Sequence, residues 1–178
     1  KIICSGLRPD GFAQTLLSAG ESKIEAVRPA GSLERERDPL GWHEMPPDPQ
    51  IGMRRHRRID VWREDDRLFL DAFFRDAVWE PDGSQKALHE YSVEASVGID
   101  CGTLLSVQAT PRVLPYPECA SAASHADAML GRPIAGFRTE VQKTLTELRA
   151  CTHLNDMLRC LAEVPSLAAL IEVATDEI

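Results

Sequence analysis

A cysteine and a histidine one residue apart, Cys151 and His153, open a strongly helical stretch near the C-terminal end of the chain. Thr152 between them can cap the first turn, because its hydroxyl accepts from a backbone N–H that lacks a partner within the helix. The positive end of the helix favours the thiolate form of Cys151, which binds metals and attacks electrophiles. The pair therefore predicts a site for a metal ion or for nucleophilic chemistry.

Two further metal-binding side chains lie at the ends of predicted elements. His89 stands at the entrance of a predicted strand, and Cys119 opens a predicted helix. Side chains at the ends of separate elements can converge at one edge of a fold, and two thiolates with two imidazoles suit zinc or an iron–sulfur centre. We therefore predict a zinc or iron site made by His89, Cys119, Cys151 and His153.

Four carboxylates could take part in this chemistry. Glu118 and Asp156 lie next to predicted ligands in sequence, and either could replace one of the histidines. Asp71 and Asp76 belong to a predicted hairpin, and either could act as a general base beside the cysteines and histidines. Charged residues are also common at the ends of exposed strands, which leaves both interpretations open.

A basic cluster precedes a strand-like segment, and its arginines could hold a phosphate or a carboxylate. The alternative is a solvated strand entry whose charge is balanced by acidic residues upstream. The predicted anion-binding residues are Arg54, Arg55, Arg57 and Arg58.

Composition limits the function classes. The 178 residues carry a formal charge of −8, which argues against general binding to nucleic acid, because phosphate contacts require a basic face. No run of about 18 apolar residues is present, so we expect no membrane span. The five cysteines do not form a compact secreted framework, which favours a soluble cytoplasmic protein with reduced thiols.

Turn-forming residues divide the chain into two predicted parts. Residues 1–53 are rich in proline and glycine, with short elements expected at 12–17 and 23–27. We predict an irregular N-terminal arm over 1–53 and an α+β domain over 54–178. The arm lies on the domain, covers a sheet edge or contacts a second subunit, which leaves a homodimer open.

Hydrophobic periodicity predicts the architecture of the second part. Alternating residues from position 58 to 113, interrupted by three polar turns, predict four antiparallel strands in a meander. The period then becomes helical, with helices expected over 119–130, 138–149 and from 153 onward, where Pro165 interrupts the last run. A sheet followed by three to four helices packed on one face is an α+β arrangement.

Several short motifs together resemble a bacterial family catalogued as domain of unknown function 2889, over roughly residues 27 to 170. Members show Leu-His-Asp-Met at Leu88 to Tyr91 of this chain, and a glycine at the position of Ala150. The family itself supplies no reaction. The motifs are the segment from His89 to Asp100, Pro115-Tyr116-Pro117-x-Cys119, Gly131-x-Pro-Ile134, Gly136-Phe137 and Cys151-Thr152-His153-Leu154.

The architecture is also distantly similar to that of iron–sulfur cluster scaffold proteins. Those proteins have a three-stranded antiparallel sheet followed by helices. Their ligands stand before a strand, at the start of the next helix, and in a His/Cys pair that opens a late helix. This similarity implies that the four predicted ligands share one site, although a likeness of fold does not determine function.

Three functions follow as expectations. The first is a metal-binding domain, acting as a metal-dependent enzyme on a small carbonyl or carboxylate substrate that is anchored by an arginine of the basic cluster. The second is a non-catalytic iron–sulfur or metal scaffold that binds a protein partner. The third is a metal-free thiol enzyme with Cys151 as nucleophile and His153 or His89 as base.

Overall fold

The computed structural model describes residues 3–21, 27–43, 52–100 and 102–176. Their elements confirm an α+β fold with an antiparallel sheet followed by C-terminal helices. The strands are β1 (Arg28–Pro29), β2 (Gly52–Glu64), β3 (Arg67–Trp79), β4 (Gln85–Gly98) and β5 (Leu104–Val113); the α-helices are α1 (Phe12–Ser18), α2 (Phe137–Thr144), α3 (Thr152–Cys160) and α4 (Val164–Asp176).

Strands β2 to β5 form the predicted meander, because polar turns join strands whose apolar residues alternate. β3 pairs with β2 on one side and with β4 on the other, and β5 continues the sheet beyond β4. β1 also pairs with β4, opposite Ala87 and Lys86, next to the stretch that β5 covers. β2 begins at Gly52, so the basic cluster lies within the first long strand and does not precede it.

The helices cover one face of the sheet. Alternate residues of the strands, such as Leu70, Phe74 and Val93, point to this face and are buried against apolar side chains of the helices, including Phe137 and Met157. Burial of this shared face is the main favourable term in folding. It also sets the distance at which side chains of α3 meet side chains of β3 and β4.

Three details of the helices differ from the expectation. The stretch Pro117–Met129 is a tight 3₁₀ helix, in which the hydroxyls of Ser121 and Ser124 donate to the carbonyls three residues earlier. Such side-chain bonds compete with the α-helical pattern. The second helix ends at Thr144, and Pro165 lies in the first turn of α4, where a missing backbone N–H costs nothing.

The arm predicted over 1–53 contributes short elements where it is described. α1 occupies the first expected position, whereas residues 23–26 of the second lie outside the described residues. Trp42 packs edge-on against His56 on the face of the sheet opposite the helices, with ring centroids 5.4 Å apart. The division into an arm over 1–53 and a domain over 54–178 stays a prediction.

Within the described part of the chain, no helix combines the length and apolar character that crossing a bilayer requires.

Candidate functional site

The register of the sheet places three charged or polar side chains in one row. Arg55 of β2 lies opposite Asp76 of β3, and Asp76 lies opposite His89 of β4. The first of these pairings follows from the two-residue turn between Glu64 and Arg67, which sets the register of the β2–β3 hairpin. All three side chains can therefore act together beneath the helices.

A β-bulge brings His89 into this row. Ala77 pairs with Ala87, yet Asp76 pairs with His89, so Leu88 is an extra residue on β4. If the strands continued in the register of Ala77 and Ala87 without a bulge, His89 would lie opposite Arg75, on the other face of the sheet. The bulge thus moves the imidazole to the face that the helices cover.

His153, in the first turn of α3, lies over the row. Its ring stacks on that of His89 with centroids 3.4 Å apart and an interplanar angle of 19°. Its Nε2 lies 3.5 Å from Oδ2 of Asp76. One ligand atom from each of Asp76, His89 and His153 lies within 4.8 Å of the other two.

Both imidazoles are held neutral. Burial, followed by the neighbouring His153, lowers the pKa of His89 from 6.5 to about 4. Burial also lowers the pKa of His153, and the negative charge of Asp76 opposes that change. The buried Nδ1 of His89 has no hydrogen-bond partner among the residues that the structure describes. Neutral imidazole is the form that binds metal ions.

Cys151 adjoins the site as the N-cap residue of α3. Thr152 is the first helical residue, so it does not occupy the capping position that we expected for it. The Cys151 sulfur lies 4.0 Å from Nδ1 of His153 and 3.4 Å from the hydroxyl of Tyr91. Tyr91 is completely buried, and burial, together with the two thiols Cys151 and Cys119, raises its pKa above the ordinary value. Its hydroxyl therefore stays protonated and donates.

Cys119 lies at the far side of Tyr91. Its carbonyl oxygen is 3.5 Å from the Tyr91 hydroxyl, and its sulfur packs against Gly6, where an added Cβ would lie only 2.5 Å from Sγ. Burial, followed by the charge of Cys151, raises the pKa of Cys119 to about 12. The Cys119 thiol is therefore neutral and faces the N-terminal segment.

Strand geometry separates the basic cluster, because successive side chains of β2 point to opposite faces. Arg54 and Arg58 lie on the face opposite the helices, where Arg54 stacks over Trp79 at 3.3 Å and Arg58 pairs with Asp60 at 2.9 Å. Arg55 and Arg57 lie on the helix-covered face beside the histidines. The four arginines predicted to bind an anion are therefore divided between the two faces of the sheet, two on each.

The alternative ligands are engaged elsewhere. Glu118 accepts from the backbone N–H of Phe12 at 2.6 Å. Asp156 binds arginines, the nearest being Arg159 at 2.8 Å. Asp71 faces away from the helices, opposite Asp60, which leaves Asp76 as the carboxylate at the site.

The sequence predicted His89, Cys119, Cys151 and His153 as ligands, of which Cys119 lies away from the cluster, and Asp76 only as a candidate base. It overlooked Tyr91, and it did not single out Arg55 as the partner of Asp76. Asp76 continues the alternation of Leu70, Ala72 and Phe74, so a carboxylate was placed on the buried face by period alone. A carboxylate at a buried position of a strand was the sequence signal that could have identified Asp76 as a site residue.

The fold and the site together define an α+β domain with a histidine–carboxylate cluster between its sheet and its helices. The chain belongs to the family described as a protein of unknown function (DUF2889), whose family model matches residues 53–166. No curated protein matches the chain, and neither does any solved structure. The similarity to iron–sulfur cluster scaffolds stays a prediction.

Proposed function

We propose that this domain binds one metal ion, zinc or iron, through Asp76, His89 and His153. The observation that carries the proposal is the convergence of three ligand atoms within 4.8 Å of one another. Two imidazoles and one carboxylate are a donor set used by catalytic zinc sites and by non-haem iron sites, both of which keep an open position.

The residues around the cluster fit a metal. The imidazoles are neutral, and Nδ1 of His89 is a buried nitrogen without a hydrogen bond to any described residue. Arg55 holds Asp76 by two hydrogen bonds, of 2.8 and 2.7 Å, which orients the carboxylate. Cys151 is the nearest thiol, with its sulfur 4.0 Å from Nδ1 of His153, whereas the protonated Cys119 faces Gly6.

The protein supplies positioning and access. The side chain of His153 is 24% exposed, so a small molecule can reach the edge of the cluster. A metal held here supplies Lewis acidity toward a carbonyl or carboxylate oxygen. These features support a metal-dependent enzyme that acts on a small carbonyl or carboxylate substrate.

The test is elemental analysis of the reduced, untagged protein. Asp76→Asn, His89→Gln and His153→Gln are compared with the wild type, and His125→Gln on the 3₁₀ helix is the matched control. We expect about one equivalent of zinc or iron in the wild type and control and a loss in the three variants. Metal-free wild type, or equal metal content in all five proteins, contradicts the proposal.

X-ray absorption of the loaded protein then identifies the thiol. A metal–sulfur distance of about 2.3 Å that disappears in Cys151→Ala and persists in Cys119→Ala assigns Cys151 as a ligand. If the metal has only nitrogen and oxygen neighbours, at about 2.0–2.2 Å, then Asp76, His89 and His153 are the protein ligands.

A second candidate function rests on the spatial arrangement of Asp76, His153 and Cys151. The two ring nitrogens of His153 face a carboxylate oxygen at 3.5 Å and a sulfur at 4.0 Å, which is the order of groups in a thiol nucleophile with an oriented base. Alkylation by iodoacetamide, located by mass spectrometry, tests it. Rapid modification of Cys151 that a chelator leaves unchanged and Asp76→Asn slows would support the thiol enzyme; slow modification in both conditions would contradict it.

A further inference from the structure

Asp156, on the second turn of α3, binds three arginines from two elements. Its Oδ2 accepts from Nη1 of Arg55 at 3.2 Å and from Nη1 of Arg57 at 3.3 Å. Its Oδ1 accepts from Nη2 of Arg159 at 2.8 Å. Strand β2 and helix α3 thus direct three guanidinium groups toward one carboxylate at the surface.

The cluster is locally cationic. Three guanidinium groups, those of Arg55, Arg57 and Arg159, face two carboxylates, because Arg55 is shared between Asp156 and Asp76. This excess stands out on a chain with a net charge of −8. Planar guanidinium groups match carboxylate and phosphate oxygens, so a local cationic excess of this kind attracts small oxyanions.

Arg57 and Arg159 keep donors for a ligand. Among the described residues, Arg57 uses only Nη1, which contacts Asp156 and the sulfur of Cys160, and Arg159 uses only Nη2. Their side chains are 44% and 31% exposed. A guanidinium has five N–H donors, so each retains several that face solvent or a ligand.

We infer that Arg57 and Arg159 form a binding site for the carboxylate or phosphate group of a small anionic substrate, with Asp156 as the positioning residue. Asp156 follows His153 by three residues, so the two side chains lie on the same face of α3, about one turn apart. Arg55 connects this site to Asp76. The assignment of the bound anion as the substrate of the histidine cluster rests on the proposed function.

The experiment measures anion binding to the metal-free full chain. Inorganic phosphate and malonate are titrated by calorimetry at constant ionic strength into wild type, Arg57→Gln/Arg159→Gln and Arg132→Gln. Arg132 is the matched control. It is an exposed arginine outside this cluster, and its Nη1 lies 3.1 Å from Oε2 of Glu140. We expect the double variant to bind about tenfold more weakly or worse, and the control to stay within about twofold.

Binding of only phosphate or only malonate would support the site and identify its ligand class. No binding of either anion, or equal losses in the double variant and the control, would overturn the inference. If the double variant does not fold, Arg159→Gln alone replaces it, because that side chain is partly exposed and makes a single ion pair among the described residues. The metal analysis is independent, so anion binding without metal overturns the proposed function and leaves the anion site standing.

Discussion

Arg55 binds both carboxylate oxygens of Asp76, with Nε 2.8 Å from Oδ1 and Nη2 2.7 Å from Oδ2. The two residues are directly opposite each other on β2 and β3, and the Asp76 side chain is only 5% exposed. This fork-shaped pair supplies a buried carboxylate with two charge-assisted hydrogen bonds and sets its orientation beneath His153.

Replacing Arg55 by lysine should weaken zinc binding about 10- to 100-fold, because a point charge cannot hold both oxygens of Asp76 in one plane. Competition with a chromophoric chelator measures the affinity. Arg132→Lys, which alters an exposed arginine elsewhere, should leave it unchanged. Equal affinity in wild type and Arg55→Lys would show that the carboxylate needs no orientation by Arg55.

Replacing Tyr91 by phenylalanine should lower the free energy of unfolding by about 1 kcal/mol, because it removes one buried hydroxyl that lies 3.4 Å from the Cys151 sulfur. Tyr91→Leu should cost more, since it also leaves space in the core. Urea denaturation of the three proteins checks the order. A phenylalanine variant as stable as the wild type would mean that the hydroxyl makes no net contribution.

Gly6→Ala should destabilise the protein by about 1–3 kcal/mol, because the new Cβ would lie 2.5 Å from the sulfur of Cys119. Cys119→Ala removes that sulfur, so the double variant should recover part of the loss. A double-mutant cycle measured by urea denaturation gives the coupling. Additive effects of the two substitutions would show that the contact is absent in solution.

His56 should make the stability of the protein fall with acidification. It is 6% exposed on the other face of the sheet, and burial, followed by the charges of Arg75 and Arg54, lowers its pKa from 6.5. The unfolded chain therefore binds a proton that the folded chain does not. The contribution of neutral His56 is present above pH 6.5 and declines as the pH falls below that value.

The check compares the free energy of unfolding of wild type and His56→Gln between about pH 7 and pH 5. The variant should lose less stability over this range than the wild type. His125→Gln is the matched control and should follow the wild-type curve. If the free energy of unfolding changes equally with pH in wild type and His56→Gln, a group other than His56 causes the pH dependence.

Much of the fold could be predicted from the sequence, because local patterns specify it. Alternating residues between positions 58 and 113, interrupted by three polar turns, predicted the antiparallel meander of β2 to β5, which ends at Val113. Prediction failed where the apolar period does not specify the type or the end of a helix. The 3₁₀ helix Pro117–Met129 is accompanied by side-chain hydrogen bonds of Ser121 and Ser124, and the second helix ends at Thr144.

The candidate site was only partly predictable. Cys151 and His153 are close in sequence, so their proximity required no knowledge of the fold. The stacking of His89 on His153 depends on the bulge at Leu88 and on the seating of α3 over the sheet. A single extra residue reverses which face a side chain occupies, and the residue types around it do not reveal that insertion.

By itself, the sequence determined the α+β architecture, the order of its strands and the presence of chemically capable side chains, because periodicity and turns are local properties. Only the tertiary structure decided which of those side chains meet. It joined Asp76, His89 and His153, turned the Cys119 thiol toward Gly6 and divided the basic cluster between two faces of β2. The physical reason is that register, bulges and helix packing are set by burial of the whole sheet face, to which distant residues contribute together.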